Sequence, residues 1–186
     1  MRNTLNQKQR AFTIVELLIV IVVIAILAAI TIVAYNAIQT RSRNTATISA
    51  VNSYVKLINL YINGESSYPL TTSTCLQVIT GVCSGRSSTM DTNLQKYGNL
   101  PTDQAFTDLT YSYATGRTID GATPPAVLLL LYSLDGTNQE CGVPNIVNQT
   151  GANTYVTDTT APYNTLTTTT TPRANMTRCY VYIAGP

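Results

Sequence analysis

Lys8-Gln-Arg-Ala-Phe-Thr-Ile-Val-Glu16 opens directly onto residues 17–30, LLIVIVVIAILAAI, where no side chain carries a polar atom. A basic stub, a small residue, an aromatic and one carboxylate thus precede a hydrophobic block. A plain membrane anchor needs the stub and the block. It has no use for Glu16, because a carboxylate at the edge of hydrocarbon is costly unless something neutralises it. Whatever neutralises Glu16 is therefore expected to define the function.

Moving outward, no side chain from Leu17 to Thr40 is charged, and up to Ala34 only Thr31 is polar. About 20 apolar residues cross a bilayer as a helix, so the stretch is long enough. The basic stub before it predicts an N-in, C-out orientation. A cleaved secretory signal would have a shorter apolar core followed by a polar, small-residue cleavage region. Here the run continues into Tyr35, Asn36 and Ile38, and helical periodicity takes over. Ile48, Val51, Val55, Ile58 and Ile62 step by three and four, with Tyr54 and Tyr61 beside them, while Asn52, Ser53, Lys56, Asn59 and Asn63 fall on other faces. No proline interrupts residues 12–63, and Asn63-Gly64 offers a stop signal. The pattern predicts one helix of roughly 50 residues, about 75 Å long. Its first half (12–40) is apolar all round, for lipid or a protein core, and its second half (41–63) is amphipathic.

Beyond Gly64 the texture changes to short segments split by Gly, Pro, Ser and Thr. Ala126–Leu134 is an apolar run between Pro124-Pro125 and Asp135-Gly136, as in a core strand leading into a turn. Cys179–Ile183 alternates, with Cys179, Val181 and Ile183 on one face and Tyr180 and Tyr182 on the other. Tyr111–Tyr113 and Tyr155–Thr157 are weaker strand candidates. Strands that follow one long helix predict an α+β fold, the helix packed on a mostly antiparallel sheet domain at 64–186. Thr167–Thr171 reads as an exposed loop.

Composition narrows the function. Of eleven Lys and Arg residues, Arg2, Lys8 and Arg10 lie in the first eleven positions, leaving eight basic against nine acidic groups. Arg86, Lys96, Arg117, Arg173 and Arg178 are scattered singly, so nucleic acid is not an indicated partner. Histidine is absent, which removes the usual general base and the Ser-His-Asp and Cys-His arrangements. No catalytic residue, cofactor or metal site is expected, and a structural protein is favoured over an enzyme. Low charge with many hydroxyl and amide side chains suits an exported surface that tolerates close packing of like copies. Cys75, Cys83, Cys141 and Cys179 all follow the apolar block and form an even set. They read as two disulfides in an oxidising compartment. Three pairings are possible; Cys75–Cys83 with Cys141–Cys179 closes the shorter loops.

The junction Arg10-Ala-Phe-Thr-Ile-Val-Glu-Leu-Leu18 resembles the class III signal of type IV pilin-like proteins, over residues 8 to about 43. The resemblance implies that a membrane-embedded prepilin peptidase cuts between Ala11 and Phe12, removing a leader at 1–11. Phe12 then becomes an N-terminus that is usually methylated. Residues 12–40 would serve as membrane helix and filament core, and Glu16 would pair with the α-amine of Phe12 in a neighbouring copy. Other implied partners are the membrane, an assembly platform protein, an assembly ATPase and minor pilins. The precursor would sit in the cytoplasmic membrane and then join a cell-surface filament serving adhesion, motility or DNA uptake. Two features depart from the family pattern. The residue before the cut is usually glycine and here is Ala11, and Ala25 and Val33 stand in the half of the helix where many members carry glycine and proline. A pseudopilin of a secretion or competence machine shares this N-terminus. A membrane-anchored surface binding domain would use the helix only as a tether.

Overall fold

The structure is a computed structural model that describes residues 13–76, 85–101, 108–157, 165–166 and 175–186. Helix α1 (Ile14–Glu65) opens the chain. It is followed by β1 (Thr74–Cys75), α2 (Ser88–Gln95), β2 (Leu109–Ala114), β3 (Thr118–Ile119), β4 (Val127–Asp135), β5 (Ile146–Gly151), β6 (Thr154–Val156), β7 (Thr165–Leu166) and β8 (Met176–Ile183). The chain divides after Gln39 into two units. The first holds the apolar part of α1; the second holds the rest of α1 and the sheet. The fold is α+β.

Among the described residues the sheet runs β1-β2-β4-β8-β5-β6-β3, with β7 added to β8. These pairings are antiparallel except β3 with β6. The centre is β4 against β8, in register from Leu128 opposite Ile183 to Asp135 opposite Met176. A central strand covered on both faces needs apolar residues at successive positions, which explains the run VLLLLYSLD in β4. Leu128, Leu130, Tyr132 and Leu134 join Cys179, Val181 and Ile183 in the main core, on the face that meets α1. Val127 and Leu129 join Tyr180, Val147, Tyr155 and Ile119 in a second cluster on the opposite face. The alternation expected of Cys179–Ile183 is thus realised.

The lower part of α1 supplies Val51, Tyr54, Val55, Leu57, Ile58, Tyr61 and Ile62 to the main core. Two polar contacts fix where this helix enters the domain. The Asn44 side-chain amide donates to the Asp135 carbonyl (3.0 Å), and its oxygen accepts from the Asp135 backbone N–H (2.8 Å). The preceding residue, Arg43, meets the Asp135 carboxylate through Nε at 2.9 Å. Asn44 is buried, so these bonds satisfy groups that water cannot reach.

The helix ends two residues later than Asn63-Gly64 suggests. Ser66 takes the left-handed conformation (φ 49°), and its N–H bonds the Ile62 carbonyl at 2.9 Å, a left-handed C-terminal cap. Gly64 is helical and has a packing reason instead: a Cβ there would collide with the Tyr97 hydroxyl. Tyr97 follows α2, a helix that the sequence reading did not anticipate; its start is capped by Ser87, whose Oγ accepts from the Met90 N–H at 3.4 Å.

A disulfide joins Cys141 to Cys179 across 38 residues and ties the segment before β5 to β8. Cys75 is also disulfide-bonded; Cys83, its expected partner, lies outside the described residues, as does Thr167–Thr171. Replacing Cys141 and Cys179 together by serine should lower the unfolding free energy by about 2–5 kcal/mol. Asn44→Ala should cost about 1–3 kcal/mol by stranding the Asp135 backbone groups. Denaturant titration of the purified chain checks both, and an unchanged midpoint for Asn44→Ala would show that the helix entry is held by apolar packing alone.

Candidate functional site

The first unit is a helix without a covering. Every described side chain from Thr13 to Gln39 is exposed, including Leu17, Ile21, Ile24, Ile30 and Ile38 at 58–66%. Sixteen large apolar side chains lie open along this stretch. Fully burying one aliphatic side chain is worth about 1.5–3 kcal/mol. Covering all sixteen therefore outweighs the about 5–15 kcal/mol net stability of a typical domain. Such a helix cannot stand in water, and it is long and apolar enough to cross a membrane. Thr31, the polar residue within the run, donates its hydroxyl to the Ala28 carbonyl at 2.9 Å and so carries its own partner into an apolar medium.

At the top of this helix Thr13 and Glu16 form a reciprocal capping box. The Glu16 N–H donates to Thr13 Oγ1 at 3.3 Å. In return Glu16 Oε2 accepts from the Thr13 N–H at 2.9 Å and from the Thr13 hydroxyl at 2.7 Å. Helix starts leave N–H groups unpaired, and a Thr-x-x-Glu sequence satisfies two of them at once. Thr13 is the residue that the sequence reading missed, although Thr13-Ile-Val-Glu16 carried the signal. All three bonds involve Oε2 or Oγ1. The carboxylate is therefore oriented through Oε2, while Oε1 accepts no bond among the described residues. Ala11 and Phe12, the expected cleavage residues, lie outside the described residues.

The basic side chains of the second unit are dispersed into separate contacts. Arg86 meets Asp91 (2.8 Å), Lys96 meets Glu65 (3.8 Å), and Arg178 meets the buried Asp108 (3.3 Å). Arg117 donates to the Ser112 carbonyl (3.2 Å) and hydroxyl (2.8 Å). Arg173 lies outside the described residues. These side chains neutralise or tie down neighbours individually instead of lining a common groove. The Asp135 carboxylate is met by Arg43, and its backbone N–H by Asn44.

Compared with known protein families, residues 6–32 match the prokaryotic N-terminal methylation motif. No curated protein and no solved structure matches the chain. The motif, the long N-terminal helix and the C-terminal sheet together are consistent with a type IV pilin-like protein. The motif implies a structural protein rather than an enzyme, and with the apolar helix it fits a membrane-anchored precursor.

The capping box makes a prediction of its own. In lipid-embedded chain, Glu16→Ala should speed exchange of the Thr13 amide proton about fivefold or more, because the cap is lost. Glu16→Gln should leave it within about twofold, because glutamine also closes the box. Hydrogen exchange read by NMR separates the two.

Proposed function

We propose that this chain is a subunit of a type IV pilus-like filament, exported as a membrane-anchored precursor, cleaved between Ala11 and Phe12, and assembled through its N-terminal helix. The observation that carries the reading is the exposed apolar helix of the first unit, opening on a carboxylate held by a capping box. A tether accounts for the apolar surface but not for Glu16. Assembly accounts for both.

Removal of residues 1–11 discards Arg2, Lys8 and Arg10 and creates an α-amine at Phe12. The capping box survives the cut, since it uses the Thr13 N–H and hydroxyl and nothing before them. The chain's own amine lies just ahead of a carboxylate already turned back onto Thr13. A second copy, displaced along the helix axis, brings its Phe12 amine to the open Oε1. Pairing removes two charges from an apolar surrounding that suits neither alone. A copy that docks out of register leaves Glu16 unpaired, so the pair selects register as well as adding attraction. The aliphatic side chains, first solvated by lipid, then pack against identical helices; Ala25, Ala28 and Ala29 allow close approach.

A prepilin peptidase, a polytopic platform protein and a cytoplasmic ATPase would act on the chain. The exported, disulfide-bonded domain would lie on the filament surface, where adhesion, motility or DNA uptake takes place. A pseudopilin would share the same chemistry and differ in forming short pistons.

Mass spectrometry of the mature chain should find Phe12 at the N-terminus, methylated. Retention of residues 1–11, or a cut beyond Ala25, would overturn the reading. Glu16→Gln keeps the cap and removes the charge; it should insert in the membrane normally yet give few filaments by electron microscopy. Wild-type numbers of filaments in that variant would show that charge pairing plays no part.

A further inference from the structure

A cavity of about 290 Å³ opens at one end of the sheet, lined by Tyr68, Tyr113, Tyr182, Ala126, Gly185 and the Pro124-Pro125 pair, with Pro186 at its rim. Its place in the second unit is fixed by strand order. Tyr113 is the next-to-last residue of β2, Ala126 precedes β4, and Gly185 lies two residues past β8, so three strand ends meet there. Asp135, which receives Asn44 where α1 enters the domain, is at the other end of β4. Eight residues of strand separate the two ends, about 26 Å at 3.3 Å per residue. The cavity thus opens at the pole away from the helix entry.

Its chemistry is neutral and two-natured. Tyr68 and Tyr113 meet edge to face, with ring centroids 5.1 Å apart. The Tyr68 hydroxyl reaches the Ala126 carbonyl only at 3.5 Å, the limit of a hydrogen bond. The hydroxyls of Tyr113 and Tyr182 have no partner among the described residues. Burial, and then the neighbouring Tyr113 and Tyr182, push the Tyr68 phenol up from its ordinary value, so it stays an uncharged donor. Among the described residues no Asp, Glu, Lys or Arg lines the space. Gly185 packs closely there: a Cβ would press on the Tyr68 hydroxyl, and the tip of that side chain would have to shift.

We propose that this cavity is a binding site for a single neutral sugar ring, a hexopyranose at the end of a glycan. A pyranose offers apolar C–H faces to tyrosine rings and hydroxyls to phenolic oxygens, which matches rings and unpartnered hydroxyls in one space. The volume is at the small end for ligand pockets, room for one ring. A polyproline segment, which also favours aromatic surfaces, extends about 9 Å for each turn of three residues and needs a longer groove. The site is independent of filament assembly, so its test uses the unassembled chain.

The full chain in lipid nanodiscs, free of glycoside detergent, is mixed with methyl hexopyranosides of glucose, galactose and mannose at up to about 10 mM, ten times a millimolar Kd. Saturation-transfer NMR should show transfer to the ring C–H protons of at least one. Tyr113→Ala and Gly185→Ala should each weaken it about fivefold or more, and Tyr113→Phe, which keeps the ring, about twofold. The Tyr113→Phe arm needs no change in packing, so a folding defect cannot produce its result. Absence of transfer from all three sugars, equal transfer in the Ala variants, or binding of a tetraproline peptide in place of sugar would each overturn the proposal.

Discussion

The chain depends on one constraint: a run of large apolar side chains, from Ile14 to Ile38, that lie exposed among the described residues. In water this surface would cost more than a domain's folding can return. It must therefore always have an apolar neighbour, and lipid and other copies of the same helix are the two that fit an export-type N-terminus. Both accept the same surface, so under the proposed function one segment would serve as anchor and then as filament core. Polar groups inside the run are handled locally. Thr31 bonds its own helix, and Glu16 is half satisfied by Thr13. Under the proposed function, Oε1 of Glu16, which accepts no bond among the described residues, is what would distinguish this helix from a simple anchor.

The remainder of α1 obeys the ordinary rules of a globular core. Its apolar stripe meets the β4–β8 face, and specific contacts set its ends: Asn44 and Arg43 on Asp135 at one end, Gly64 beneath Tyr97 at the other. The Cys141–Cys179 bond then secures β8, the strand that shares most of its length with β4. A domain held in this way can project from a membrane or a polymer without relying on ion pairs, which suits a surface poor in charge.

Much of this was legible in the residues. The three-four stepping from Ile48 to Ile62 located the buried stripe, and the alternation of Cys179, Val181 and Ile183 located the face of β8 that meets it. Elements built from few apolar residues were not legible. In β5 only Ile146 and Val147 are buried apolar residues, on opposite faces, and β1 is two residues long. α2 has just Met90 and Leu94 as buried anchors, so its pattern is too short to register. Asn63-Gly64 misled because glycine there answers a packing need rather than a turn. At the site, Glu16 drew attention as a charge in the wrong medium, which hid its second role as the partner of Thr13 in a cap.

The central claim is that this apolar surface ends against other copies of itself. A photoreactive amino acid placed at Val22, which is exposed in the structure, reports what lies against it in assembled material from cells. The account predicts a ladder of covalent multimers of this chain after illumination. Adducts with lipid alone, in cells that export and process the protein normally, would contradict it.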